Sequence, residues 1–284
     1  MVQAVTDSPG VEAELHYLAR SSRINRRYVA PGAESNTGLY EPHRVLVRNG
    51  RPLQAEFSLD VQGFVLDRHS SSVADFRDKA QVDARYPAEV EQIVRRLTGA
   101  DLVIPLGWVR RTAGPTAAGV QPPASDVHVD MVQDRADRLA RQLYVKVAPE
   151  GPQYRRFIAT SLWRAFSVPP QDWPLTVCDA RSVAAEEGVP NTMVVVDALP
   201  PPEAIPEHLP GEDQLPAAYV FHYSARHRWW YFPHMTRDEV ILLKLHDSDH
   251  SRAWRVPHTA FHDPTYPNAP ARESIEYRTV AYFQ

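Results

Sequence analysis

Hydrophobic and polar positions alternate in short runs along most of the chain, and only two segments show a helical period instead. In residues 11–19 the apolar side chains Val11, Leu15 and Leu18 fall at helical spacing, which predicts a short helix followed by an arginine-rich loop through Arg27. Residues 44–48 and 54–59 alternate on either side of Asn49-Gly50, which predicts a hairpin. Between Ala74 and Gly99 the residues Val82, Tyr86, Val90, Ile93, Val94 and Leu97 recur every three or four positions, and a glycine closes the run. An amphipathic helix is expected there, covering a sheet face.

After residue 100 the pattern turns to short strands. Residues 101–109 are β-rich, and 112–125 form a Gly/Pro/Ala loop suited to a mobile entrance. A charged stretch at 134–141 follows. Strands are then predicted at 143–147, 156–166, 176–179, 192–196, 218–223, 229–232, 239–245, 254–256 and 274–283. Between 199 and 216 six prolines forbid a helix or a central strand, leaving a stiff surface connection, with a lid as the alternative. No internal repeat is visible. The expectation is a mostly β protein, a double-stranded β-helix or jelly roll with a few flanking α-helices. One domain should span 1–284, with helices and a hairpin from 1–100 packed on a core formed by 101–284.

Composition narrows the chemistry. A net charge of −4 and a pI near 6.3 give no basic field, so a small-molecule substrate is expected rather than nucleic acid or an anionic membrane. Cys178 is the sole cysteine, which excludes an internal disulfide and any cysteine-built zinc or iron-sulfur site. Residues 1–10 lack a basic and apolar leader pattern, and no apolar run is long enough to span a bilayer, so a cytoplasmic location is expected. A homodimer is left open. Arginine outnumbers lysine 28 to 3, a bias attributed to a GC-rich genome.

The stretch with candidate chemistry is Val127-His128-Val129-Asp130. On a strand, residues at i and i+2 leave one face, so His128 and Asp130 project together while the valines pack behind. With 12 His and 19 Asp, about one His-x-Asp is expected by chance, so the spacing alone decides nothing. Its company matters more: His258 in a later Pro-His-Thr, then Arg272 and Ser274. Two imidazoles and one carboxylate on one face of an octahedral ion leave three positions open, as in non-haem Fe(II) oxygenases.

A longer series of ordered motifs runs through the chain. It comprises Phe57-Ser58-Leu59 with Gly63-Phe64, Tyr86-Pro87-Ala88-Glu89-Val90, Thr98-Gly99-Ala100, His128-Val129-Asp130, Trp163-Arg164, Asp172-Trp173-Pro174-Leu175, Cys178-Asp179-Ala180-Arg181-Ser182 and His227-Arg228-Trp229. Asp238-Glu239-Val240, Pro257-His258-Thr259-Ala260-Phe261 and Arg272-Glu273-Ser274-Ile275-Glu276 complete it. In these the chain resembles the iron- and 2-oxoglutarate-dependent oxygenases that include cephalosporin 7-alpha-methoxylation proteins, gibberellin desaturase and fungal meroterpenoid endoperoxide synthase. The resemblance implies that His128, Asp130 and His258 hold Fe(II) and that 2-oxoglutarate chelates it. O2 would be consumed, succinate and CO2 released, and an unactivated carbon of a secondary metabolite hydroxylated or desaturated.

Under that resemblance a cation must hold the far carboxylate of 2-oxoglutarate. Arg272 is the first choice, since guanidinium offers a bidentate fork and Ser274 would point the same way, with Arg164 and Arg278 as further candidates. The family usually has Asn two residues before the Trp of Trp-Arg; here Ser161 stands there. Asp130 argues against a halogenase, which needs that position vacant.

Ordinary roles are expected for most other residues. His16, His43, His69, His208, His234, His246 and His250 read as surface or structural, and His262 as a neighbour of the ligand set. Some rings of Trp229-Trp230-Tyr231-Phe232, or Trp163, should line the substrate pocket. Asp238 and Glu239 read as a solvated turn, and Asp179 with Arg181 as a structural ion pair. The competing functions are a non-catalytic metal-binding jelly roll and a metal-dependent isomerase or oxygenase that takes no 2-oxo acid.

Overall fold

The structure, a computed structural model, describes residues 9–115, 119–151 and 153–284. Residues 1–8, on which most of the leader argument rests, and 116–118 of the expected entrance loop lie outside the described residues. The elements run β1 (Gly10–Leu18), β2 (Arg26–Ala30), β3 (Ala33–Asn36), β4 (Tyr40–Asn49), β5 (Phe64–Arg68), α1 (Lys79–Thr98), β6 (Leu102–Thr112), β7 (Val120–Gln121) and β8 (His128–Val129). The second half adds α2 (Gln133–Val147), β9 (Arg156–Ala165), β10 (Leu175–Cys178), β11 (Val189–Val195), β12 (Ala217–Val220), β13 (Trp229–Tyr231), β14 (Glu239–Asp247), β15 (His258–Ala260) and β16 (Glu273–Phe283).

The strands form two sheets of a jelly roll. A ten-stranded sheet has the order β1-β4-β13-β10-β15-β8-β12-β11-β2-β3, and a six-stranded sheet β5-β14-β9-β16-β6-β7. One apolar cluster takes Val129 and Val177 from the first sheet, Trp163 and Val280 from the second, and Ala136, Ala140 and Tyr144 from α2. A second cluster lies on the outer face of the six-stranded sheet, where Val82, Tyr86, Val90, Ile93 and Val94 of α1 cover Leu162, Leu242, Ile275 and Tyr277. Burial on this face follows from the period expected of α1. The helix starts at Asp78, whose carboxylate accepts from the Ala80 and Gln81 amides, and ends at Gly99 with φ 71°, a conformation glycine adopts without strain.

Four expectations fail for physical reasons. The expected helix at 11–19 is strand β1, paired with β4 from Gly10↔Arg48 to Leu18↔Tyr40. Val11, Ala13, Leu15 and Tyr17 also alternate, and a ready partner strand decides between the two periods. The hairpin at Asn49-Gly50 is absent: Gly50 is right-handed helical, and Pro52 enters a 3-10 turn, Arg51–Glu56. Residues 134–147 form helix α2 rather than a charged loop and a strand, since Ala136, Ala140 and Tyr144 fall four apart and bury together. Residues 254–256 pair with no strand, although the Val256 amide donates to the Lys244 carbonyl at 2.9 Å.

The proline-rich stretch behaves as a pinned connection. It holds only two 3-10 turns, Pro202–Ala204 and Glu212–Gln214. The buried Arg26 donates to both Glu212 carboxylate oxygens, at 2.8 and 2.7 Å, and to the carbonyls of Pro206 and Glu207.

Candidate metal centre

Val127 and Val129 are fully buried in the apolar core, and the alternation of β8 turns His128 to the opposite face, which looks into the cavity lined by Arg272 and by Trp163 and Glu276 of the second sheet. β15 pairs with β8 so that His258 lies directly opposite His128, their rings 4.5 Å apart. Asp130 follows the end of β8. Its Oδ1 lies 3.7 Å from His128 Nε2 and its Oδ2 4.0 Å from His258 Nε2. One potential ligand atom from each of the three residues lies within 4.8 Å of the others.

Backbone carbonyls set the state of both imidazoles. His128 Nδ1 is 2.7 Å from the Asp126 carbonyl oxygen, and His258 Nδ1 is 3.0 Å from that of Val256. A carbonyl only accepts, so each Nδ1 carries the proton and each Nε2 turns a lone pair toward the shared space. Burial, reinforced by His128, pulls His258 down to about 4, which keeps it neutral at ordinary pH. Burial pushes Asp130 up, but Arg278, His258 and His128 more than offset it, so the carboxyl sits below its usual range. Cis donors on a first-row ion stand about 3 Å apart, so closing on one needs the carboxylate pairs to contract by about an ångström or less and every pair by less than about two. The residues present fit such a group.

The four cosubstrate candidates differ in what their side chains already hold. Arg272 is buried, its Nη1 donates to the Trp173 carbonyl at 3.0 Å, and its backbone amide donates to Asp172 at 2.7 Å. Its Nε and Nη2, the two donors along one edge of the guanidinium, have no hydrogen-bond partner among the described residues. That edge is the fork a carboxylate takes. The side chain lies over the Trp163 ring at 5.7 Å and lines one cavity with His128, His258, Trp163 and Glu276. Burial, with the nearby Arg111 charge, pulls the guanidinium down to about 9, as for a cation awaiting an anion. Ser274, also buried, stands opposite Ala165 and Arg111 in register.

Arg278 has its guanidinium already engaged with Asp130 and Glu276. Its Nε and Nη2 grip both Asp130 oxygens, at 3.0 and 3.1 Å, and Nη2 also donates to Glu276 at 2.9 Å. Arg164 is engaged elsewhere too: β9 alternates and turns it away from the cavity that Trp163 lines. It is buried, bonding the Tyr86 hydroxyl (3.1 Å), the His69 carbonyl (2.9 Å) and ring (3.0 Å), and the Arg237 carbonyl. Arg164→Met should therefore destabilise the fold by about 3 kcal/mol through orphaned buried groups. In urea unfolding and 2-oxoglutarate titration, a large change in ligand affinity without loss of stability would contradict this placement.

Arg111 escaped the sequence reading, and Glu276 entered it only as the last residue of a motif. Arg111 holds Glu276 by two bonds, at 3.2 and 3.1 Å, and both line the cavity. The only available signal was the i+2 spacing of Ser274, Glu276 and Arg278. Asp172 and Trp173 were noticed only as a motif; their part is to seat Arg272. Ser161 lies two residues before Trp163 on β9, opposite Arg278 in register.

The remaining expectations divide. Arg181 bonds Asp179 at 2.9 and 2.7 Å, as an ion pair. Glu239 is not a solvated turn: it is buried against Arg51. Trp229, Tyr231 and Phe232 are core, and the cavity ring is Trp163. His262 is exposed and meets the edge of Trp173 at 5.7 Å.

His246 is structural but deeply buried, and burial, with His250, pulls it down to about 4. The unfolded chain then takes up a proton near pH 6.5 that the folded chain refuses until about pH 4. Stability should fall as pH drops through that window, by at most about 3 kcal/mol from this residue. His246→Leu should flatten the slope in urea midpoints measured between those limits; an unchanged slope would contradict the assignment.

The profile of a family described as "Oxidoreductase/YMDC permease-like domain" matches residues 15–282. The chain is 30% identical to a protein named hydroxylase/desaturase efuI from Hormonema carpetanum, over 99% of this chain and 98% of the relative. It is also 30% identical to the Fe(II)/2-oxoglutarate-dependent dioxygenase nvfI from Aspergillus novofumigatus, over 98% and 94%. The solved iron and alpha-ketoglutarate-dependent endoperoxidase NvfI superposes with a TM-score of 0.81 at 28% identity, covering 97% of this chain and 99% of that one. No helix among the described residues is long and apolar enough to cross a membrane. With this likeness along nearly its whole length, the chain belongs to the family of iron- and 2-oxoglutarate-dependent oxygenases that holds these hydroxylase/desaturases and the endoperoxidase.

Proposed function

We propose that His128, Asp130 and His258 hold Fe(II), and that Arg272 with Ser274 receives the far carboxylate of 2-oxoglutarate. The protein is an Fe(II)- and 2-oxoglutarate-dependent dioxygenase acting on a small molecule of secondary metabolism. Hydroxylation or desaturation of an unactivated carbon is the proposed outcome, with succinate and CO2 as coproducts. The observation that carries the reading is the unpartnered edge of Arg272 in the same cavity as the two histidines. A barrel that only bound metal would have no use for a desolvated carboxylate fork there.

Bound iron supplies O2 activation and oxidative decarboxylation; the chain supplies geometry and dryness. The two carbonyl-held imidazoles present fixed lone pairs, and Arg278 keeps Asp130 from swinging away. Arg272 fixes the cosubstrate at its far end, and Trp163 helps keep water from the cavity. We further propose that one domain carries the whole reaction, in the cytoplasm, without nucleic acid or membrane, with a homodimer to be tested by gel filtration.

Succinate release and O2 uptake, followed with Fe(II) and 2-oxoglutarate, test the reading. Succinate formed in step with O2 supports it. Binding of metal without consumption of either would favour a non-catalytic barrel, and O2 uptake without 2-oxoglutarate would favour an oxygenase that needs no 2-oxo acid.

A further inference from the structure

Two guanidiniums line the metal cavity, Arg111 and Arg272, and one carboxylate, Glu276, lies among them. They stand on neighbouring chain segments. Glu276 belongs to β16, and Arg111 lies on β6 opposite Ser274, the residue two places before Glu276 on the same strand face. The Arg111 fork is closed. Its Nε and Nη2 donate to the two Glu276 oxygens, at 3.2 and 3.1 Å, and its Nη1 donates to the Pro122 carbonyl at 3.0 Å. The side chains of this pair are only 13% and 12% exposed. The Arg272 fork is open: the same edge, Nε and Nη2, has no hydrogen-bond partner among the described residues, while the neighbouring Asp172 carboxylate takes the Arg272 backbone amide at 2.7 Å. Glu276 Oε1 also accepts from Arg278 Nη2 at 2.9 Å, which holds the carboxylate against Arg111 from its other side. One carboxylate of the chain itself therefore fills in Arg111 the seat that stays empty in Arg272.

We propose that Glu276 is a specificity-determining residue: by closing the Arg111 fork it leaves the cavity a single carboxylate seat, so that a dicarboxylate is held well only when its other end chelates the metal. This rests on reading the cavity as the 2-oxoglutarate site, and it goes further by naming what the site refuses. A dicarboxylate of the same length without a keto group, and the coproduct succinate, find Arg272 alone and leave. Glu276 acts through Arg111 and takes no part in the chemistry at the metal.

The test titrates glutarate and 2-oxoglutarate into metal-free and Zn(II)-loaded protein by isothermal titration calorimetry. The unaltered protein should hold 2-oxoglutarate much more tightly when loaded, and glutarate weakly in either form. Glu276→Gln, which keeps the shape but loses the charge, should open Arg111 and tighten glutarate roughly tenfold or more on metal-free protein, the size of one charge-assisted contact. Adding Arg111→Lys to that variant keeps the cation but not the fork, and should remove most of the gain. Glu203→Gln, at an exposed glutamate, should change nothing. Unchanged or weaker glutarate binding in a Glu276→Gln variant with an unaltered melting curve, or a full gain in the double variant, would overturn the proposal. So would unaltered metal-free protein that binds glutarate as tightly as the loaded protein binds 2-oxoglutarate, a result that requires no variant to fold. Failure of 2-oxoglutarate to gain from Zn(II) would count against the cosubstrate reading alone, since the glutarate comparison is made without metal.

Discussion

His258→Ala should leave the protein without usable iron: Fe(II) affinity is expected to fall by more than roughly 100-fold, the upper end for residues that merely support a ligand, and turnover to be lost. The size follows from the geometry. His258 and His128 face each other across one β-bridge, and each has its Nδ1 tied to a carbonyl, so no other nitrogen can swing in to replace a lost Nε2. His128→Ala should reach the same end, and the double variant should be little worse than either, because two donors no longer make a site. Anaerobic titration with Fe(II) measures it. A single variant that keeps near-native affinity would mean that iron, if bound, sits elsewhere.

Arg272→Met should move two quantities in opposite directions. The 2-oxoglutarate dissociation constant should rise by about 2–4 kcal/mol, or ~30-fold to ~1,000-fold, because a bidentate charged contact in a dry cavity is removed. The apo fold, in contrast, should become more stable by about 1–3 kcal/mol, since a buried cation with two unsatisfied donors is replaced by an apolar chain of similar length. A purely structural arginine would lose stability on the same change. Urea unfolding of the metal-free protein and calorimetric titration of the loaded one read the two effects separately. Loss of stability with unchanged 2-oxoglutarate affinity would remove Arg272 from the site.

The site was more legible than the path of the chain. His128 and Asp130 follow from a period of two, and that period survives in the structure because two buried valines enforce it. That His258 joins them across a shared bridge depends on β15 lying between β10 and β8, a pairing no local pattern carries. Long-range pairing likewise decides β1, where helical and strand periods coexist and β4 selects the strand. Local β-propensity misled at 143–147, where the four-residue spacing of buried side chains makes a helix. Among the arginines, Ser274 two residues on put Arg272 first. Only the structure separates it from Arg278 and Arg164, because the difference lies in which donors are already occupied.

The most direct measurement is an anaerobic titration of 2-oxoglutarate into the protein with and without Fe(II). If one cavity holds the metal at His128, Asp130 and His258 and the far carboxylate at Arg272, the ligand binds one per chain, and much more tightly when the metal is present. Affinity that is the same with and without Fe(II) would contradict a shared site.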